Sequence, residues 1–401
     1  MGQQRRASSA VHLVLGLAVG VVAGASGCAA PRIAASGQIA GLELHGPVDS
    51  EVARRYLVGE PLPLALEAVR RQSLASDQAP PRELLAAVSR DYSPDVATML
   101  FLEAVGARAD VRELRQRYEA ELAHVRRVGL KAAGPDLPDD VLVLMVPGWF
   151  YVTHGGETNA DYRIQRKLFE RWRIPYRLVP IDENGTVEDN ARIVADAIRE
   201  ATKTHRVFLV SASKSGAEVA RAIGRELKPS ETESVVGWLS IVGVVRGTPY
   251  ADRALARDVR WLVKVKFASE RFDLEGLKSM RVSREHSAFN ELEFPPHIRT
   301  IACIAVPLSG QITERASFGY RVMREFGPND GLTLLADELV PGAVPVLLPG
   351  IDHFLGSPEQ QAIWSTALVR LLAAELRSHP TSASCAASLG GGGGRVSEEG
   401  R

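Results

Sequence analysis

From Val141 onward, short runs rich in β-branched residues alternate with amphipathic segments, and this rhythm restricts the chain to very few folds. The spacing predicts a strand at 141–146, a helix over 162–173, a strand at 176–180, a helix over 187–204 and a strand at 206–210. It continues with a helix from 216, strands at 235–242, 298–306 and 344–348, and a closing helix over 359–377. Strands joined through helices pair in parallel, and a parallel sheet needs both faces covered, so the expectation is an α/β fold with helices on both sides. The stretch 249–297 interrupts the rhythm as an inserted, mostly helical segment.

The apolar run Val207-Phe208-Leu209-Val210 ends in Ser211-Ala212-Ser213-Lys214-Ser215-Gly216. A hydroxyl is a weak nucleophile unless a base reaches it, and a tight strand-to-helix turn exposes it for that purpose. Such a turn tolerates only small neighbours two residues away on each side. Ser211 and Ser215 meet that requirement, which makes Ser213 the candidate nucleophile, although serines capping an ordinary strand–helix junction produce the same pattern. His353, in Gly350-Ile351-Asp352-His353-Phe354, lies just past the last strand, where a base must sit to reach a serine at the same sheet edge. For the orienting acid, Asp330 in Asn329-Asp330-Gly331 is the first candidate, with Asp337 and Asp352 as rivals. Donors for an oxyanion are expected from the backbone N–H of Lys214 and from the loop Pro147-Gly148-Trp149-Phe150-Tyr151, at Trp149 or its neighbour Phe150.

These four separated motifs resemble the α/β-hydrolase superfamily, in particular bacterial lipases and esterases. They are Pro147-Gly148-Trp149, Ser211 to Gly216, Val245-Arg246-Gly247-Thr248-Pro249-Tyr250-Ala251-Asp252, and Asn329-Asp330-Gly331 with Asp352-His353. Ser211 and Ser215 stand where the family pattern G-x-S-x-G has glycine. The resemblance spans Val141 to Arg377 and implies the α/β-hydrolase fold, a mostly parallel sheet with helices on both faces. It also implies the order serine, acid, histidine, and places the Arg246–Asp252 segment at the border of the active site. The implied activity is hydrolysis of carboxylic esters through a Ser213–His353–Asp330 triad and an acyl-enzyme, with no cofactor and no metal. Thioester, polyester or amide hydrolysis on the same triad, and a non-catalytic protein that uses the fold to bind a partner, are the other readings. His154, Glu157 and Asp161 match no strong metal-ligand spacing.

With 401 residues, 45% of them hydrophobic, the chain is long enough for one large core and an accessory region. Forty-eight basic residues balance forty-eight acidic ones, which argues against nucleic acid as a partner, and the resemblance implies a small-molecule or lipid ester as the substrate. Residues 1–27 read as a signal peptide, with Arg5 and Arg6 ahead of an apolar stretch too short to span a bilayer comfortably. Ala25-Ser26-Gly27-Cys28 resembles the bacterial lipoprotein cleavage box, which implies export and anchoring to the cell-envelope membrane through lipidated Cys28. Residues 28–136 are expected to be a helical N-terminal region, 137–379 the hydrolase-like domain with a cap-like insertion at 249–297, and the glycine-rich 380–401 a disordered tail. Cys303 and Cys385 are not expected to pair. Within the insertion, Trp261-Leu262-Val263-Lys264-Val265-Lys266-Phe267 is read either as a buried packing element or as the lining of an acyl pocket.

Overall fold

The computed structural model describes residues 32–378, so the signal segment, Cys28 and the 380–401 tail lie outside the described residues. The described chain opens with an antiparallel hairpin, β1 (Ile33–Ile39) and β2 (Leu42–Val48). Five helices follow: α1 (Glu51–Leu57), α2 (Leu64–Leu74), α3 (Arg82–Asp91), α4 (Pro94–Gly106) and α5 (Ala109–Val128). The hairpin departs from the helical expectation for this region. Its two-residue turn is Ala40-Gly41, both at positive φ (48° and 81°), a tight hairpin geometry usually signalled by Asn-Gly or Asp-Gly.

The β/α rhythm then runs β3 (Val141–Val146), α6 (Gly155–Thr158), α7 (Arg163–Trp172), β4 (Tyr176–Leu178), α8 (Val187–Ala201), β5 (Arg206–Ala212), α9 (Ser215–Arg221) and β6 (Val235–Ile241). The insertion supplies α10 (Pro249–Ala254), α11 (Arg260–Ser269), α12 (Glu275–Ser279) and α13 (Val282–Asn290). The fold closes with β7 (Arg299–Val306), α14 (Glu314–Met323), β8 (Val344–Pro349) and α15 (Pro358–Ser378). The six strands form one sheet in the order β4-β3-β5-β6-β7-β8, and every neighbouring pair is parallel.

Because successive side chains on a strand point to opposite faces, each strand feeds two cores. On β3, Leu142, Leu144 and Val146 join a core with Val194 and Ile198 of α8 and Val219 of α9. Val141, Val143 and Met145 join another with Phe169 of α7 and Leu368 and Leu372 of α15. This is an α/β architecture, a parallel sheet with helices on both faces, as the strand–helix rhythm predicts. The N-terminal region shares both cores: Leu100 and Val105 of α4 pack in the first with Ile304 and Leu347, and Leu114 and Tyr118 of α5 pack in the second. Cys303 is buried within β7 as a free thiol, and burial raises its pKa, with Glu338 adding to the shift. Among the described residues, no helix is long and apolar enough to cross a membrane.

Several buried carboxyls give the fold a pH dependence, Asp337 and Glu285 among them. Burial pushes Asp337 up to about 7 despite Arg82 and Arg246, and burial with the nearby charge of Glu188 pushes Glu285 up to about 7. A carboxyl whose folded pKa lies above its unfolded value binds its proton more tightly when folded, so its contribution is full below about pH 4 and is lost as pH rises through 7. Each group is therefore expected to cost roughly 2 kcal/mol of stability between pH 5 and pH 8. Surface carboxylates held low by arginines, such as Asp140 and Glu231, titrate below this window. Denaturant midpoints measured from pH 5 to 8 should fall for the native chain and fall less for Glu285→Gln; an identical slope in both would reject the assignment.

Candidate active site

Parallel strands end together, and the functional loops gather at their carboxyl edge. β5 ends at Ala212, Ser213 adopts φ 57°, and α9 starts at Ser215, so the chain turns from strand to helix within two residues. A left-handed serine is strained, and the fold retains it by tying both ends of the turn. Ser213 N–H donates to Ile241 O (3.0 Å), and its carbonyl accepts from Val244 N (2.9 Å) and Gly216 N (2.9 Å).

The serines that stand in place of glycines hold this turn. Ser215 Oγ donates to Val146 O (2.8 Å) at the end of β3 and accepts from Ala212 N (2.9 Å). Ser211 Oγ accepts from the buried indole of Trp238 (2.9 Å). A buried hydroxyl without a partner would be costly, and here each has one. At Gly216 a Cβ would lie 2.8 Å from the Gly243 Cα, so only glycine permits that approach.

The three side chains separated in sequence converge. His353 Nε2 lies 2.9 Å from Ser213 Oγ, and His353 Nδ1 lies 2.5 Å from Asp330 Oδ2. Since a carboxylate only accepts, Nδ1 carries the proton, which leaves the Nε2 lone pair facing the serine hydroxyl. Asp330 is fully buried, and its other oxygen accepts from Leu332 N (2.9 Å) and Thr333 N (2.8 Å). Those bonds keep the carboxylate in place for the imidazole. His353 N–H also donates to Asp330 O (2.9 Å), joining the two loops through their backbones. Of the rival acids, Asp352 accepts from Thr313 N and Phe354 N (2.8 and 3.0 Å), and Asp337 pairs with Arg82 at 3.2 Å.

The loop after β3 approaches the turn: a Cβ on Gly148 would be 3.5 Å from Ala212 O. Gly148 N–H donates to Ala160 O (2.9 Å) and Phe150 N–H to Glu183 O (3.2 Å), while the described residues offer no acceptor to the N–H of Trp149 or of Lys214. Phe150, the alternative donor, is thus occupied. Glu183, unread in the sequence, also accepts from Val152 N (3.0 Å) and Thr153 N (2.8 Å) through its carboxylate. No motif announces it, because the contact depends on how two loops meet. The Arg246–Asp252 segment borders the site, where Thr248 Oγ1 donates to Leu332 O (2.5 Å), two residues beyond Asp330.

An apolar cluster lies over the 147–151 loop. Trp149 stacks on Phe150 with ring centroids 4.3 Å apart, and Phe267 and Phe272 stand 6.0 and 4.8 Å from Phe150. α11 contributes Val263 and Phe267 to this cluster, while Trp261 and Val265 on the same helix are 60% and 64% exposed, so the stretch as a whole is not a buried packing element. Among the described residues, no group of three or more His, Cys, Asp or Glu side chains is arranged to hold a metal, and His154 instead faces Glu270 at 3.9 Å.

No family model and no curated protein sequence matches the chain. Among solved structures it is similar to a metagenomic carboxyl esterase, at 19% identity and a TM-score of 0.49 over 61% of this chain and 77% of that one. It is also similar to the mature form of a Bacillus licheniformis lipase, at 19% identity and a TM-score of 0.46 over 60% and 93% of the two chains. A thioesterase from the prodiginine biosynthetic pathway of Streptomyces coelicolor aligns at 17% identity and a TM-score of 0.31, over 61% and 93%.

Proposed function

We propose that this chain is a serine hydrolase of carboxylic esters, exported and anchored to the envelope membrane through a lipidated Cys28. The observation that carries the reading is the unbroken hydrogen-bond line from Ser213 through His353 to buried Asp330, with the serine in a left-handed turn at the carboxyl edge of the sheet. In the first step Ser213 Oγ attacks the ester carbonyl while its proton passes to His353 Nε2. The oxyanion accepts hydrogen bonds from the N–H groups of Lys214 and Trp149, which find no acceptor among the described residues. Collapse breaks the C–O bond, and His353 gives its proton to the departing alcohol. Water, deprotonated by the same imidazole, then releases the acid and restores the serine. Asp330 holds the Nδ1–H tautomer and stabilises the imidazolium in both halves of the cycle.

Only four residues separate Cys28 from β1, so an anchored chain holds its folded body close to the bilayer. One experiment tests both parts of the reading. Cells producing the full chain are treated with a fluorophosphonate, fractionated, and the labelled residue mapped. Label on Ser213 in the membrane fraction, moving to the soluble fraction for Cys28→Ser, is the expected result. An unlabelled, intact protein would overturn the hydrolase assignment, and label that stays with the membrane in Cys28→Ser would overturn the anchor.

A further inference from the structure

The two N–H groups assigned to the oxyanion stand on separate segments, Trp149 in the loop after β3 and Lys214 in the turn after β5. One oxygen can accept from both only if each donor comes within roughly 2.7–3.1 Å of it, so the spacing of the two segments decides the strength of the hole. Strand pairing aligns β3 with β5 as far as Val146 and Ser211, and beyond that pair both chains leave the sheet. Side chains must fix the rest.

From the Trp149 side, the loop is bound to residues 181–183. Phe150 N–H donates to Glu183 O (3.2 Å), Tyr151 OH to Ile181 O (3.1 Å), and the N–H groups of Val152 and Thr153 to the Glu183 carboxylate (3.0 and 2.8 Å). From the Lys214 side, the ammonium contacts Glu218 Oε1 on α9. One side chain joins the two halves. Asn190, fully buried near the start of α8, accepts from Asp182 N–H through Oδ1 (3.0 Å) and donates through Nδ2 to Asp182 O (2.8 Å) and Glu218 Oε1 (2.8 Å). The partners fix which end of the amide is which, since a backbone N–H requires the oxygen, and a carbonyl and a carboxylate require the NH2. The fit is close: a Cβ on Gly185 would lie 2.9 Å from Asn190 Oδ1. The start of α8 is itself tied down, by Asp189 N–H to Thr186 Oγ1 (3.1 Å) and Val187 N–H to Ser279 Oγ (3.1 Å).

We propose that Asn190 is a positioning residue of the oxyanion hole: bonded at once to the segment that holds the Trp149 loop and to the carboxylate that holds Lys214, it sets the distance between the two donor N–H groups. This role rests on the hydrolase reading, which supplies the oxyanion. None of the three bonds reaches a reacting atom, so Asn190 acts through the donors alone. Those donors bind the neutral carbonyl of a bound ester weakly and the tetrahedral anion strongly, so misplacing one raises the barrier and hardly changes ester binding.

Asn190→Ala in the full chain is expected to lower kcat for p-nitrophenyl acetate about 10- to 100-fold with KM within about twofold, a smaller loss than deleting a donor outright. A trifluoromethyl ketone, whose adduct with Ser213 carries an oxyanion, should bind more weakly by a similar factor. Glu183→Ala cuts the same line at its other, partly exposed end and should show the same pattern at about 3- to 10-fold, as loss of a charge-assisted hydrogen bond predicts. Because both variants break one line, the double variant should lose less than the product of the two single effects. Circular dichroism and denaturant midpoints establish which variants are folded. A folded Asn190→Ala that loses stability but keeps kcat and inhibitor affinity, or whose whole loss lies in KM, would overturn the positioning role and leave the hydrolase reading standing. Fully multiplicative losses in the double variant would do the same. Should Asn190→Ala not fold, an unchanged kcat and inhibitor affinity in Glu183→Ala would overturn the role instead. A wild-type chain that neither cleaves the ester nor takes a fluorophosphonate on Ser213 would overturn the hydrolase reading and the positioning role with it.

Discussion

Ser213→Ala and His353→Ala are each expected to lower kcat for short p-nitrophenyl esters by about 10⁴- to 10⁶-fold, and the double variant little further, because nucleophile and base act as one unit. Asp330→Asn should cost less than either, since it disturbs the tautomer and orientation of His353 without removing the base. The turn adds a second readout. Ser213 sits at φ 57°, a conformation that costs a non-glycine residue on the order of 1 kcal/mol, so Ser213→Gly should remove turnover and stabilise the fold by about that amount. A strained nucleophile is thereby distinguished from a serine that merely caps a helix, whose replacement by glycine would leave stability unchanged or lower it. Circular dichroism and denaturant midpoints must show each variant folded. Substantial ester turnover by a folded Ser213→Ala would end the triad assignment.

The fold was largely legible because its signals are periodic. Apolar β-branched runs separated by helical spacing leave little freedom of topology, and the strands stand where that rhythm places them. The hairpin at 33–48 was not, because its turn is Ala40-Gly41 and the inward positions of β1 carry Ala35 and Gly37 between Ile33 and Ile39, small residues that blunt the alternation a strand normally displays. At the site, residue type and order brought Ser213, His353 and Asp330 into view, yet sequence alone left Asp337 and Asp352 in contention. Only the spatial partners separate the three acids: Arg82 for one, backbone N–H groups for another, the imidazole for the third. The choice between Trp149 and Phe150 likewise depends on a loop–loop contact, the bond from Phe150 N–H to Glu183 O, that no spacing in the chain encodes.

The same limit hid a charged pair directly beneath the turn. Lys214, the residue just before α9, and Glu218, four residues on within it, are 2% and 0% exposed, with Nζ in contact with Oε1. Four-residue spacing of opposite charges ordinarily marks a solvated helix face, so burial was not readable from it. Asn190 Nδ2 donates to the same Glu218 oxygen (2.8 Å), and Oε2 has no hydrogen-bond partner among the described residues. Removing one partner therefore strands a charge away from water. Glu218→Leu is expected to destabilise the protein by about 3–5 kcal/mol, because the ammonium loses its counter-ion and Asn190 an acceptor. The double variant Lys214→Met/Glu218→Leu, close in volume and free of charge, should recover most of that loss, since desolvating two ions offsets much of their attraction. Chemical denaturation of the wild type, both single variants and the double variant closes the cycle. A loss below about 1 kcal/mol for Glu218→Leu, or a double variant less stable than Glu218→Leu alone, would show that the pair is not what holds the first turn of α9 against the nucleophile.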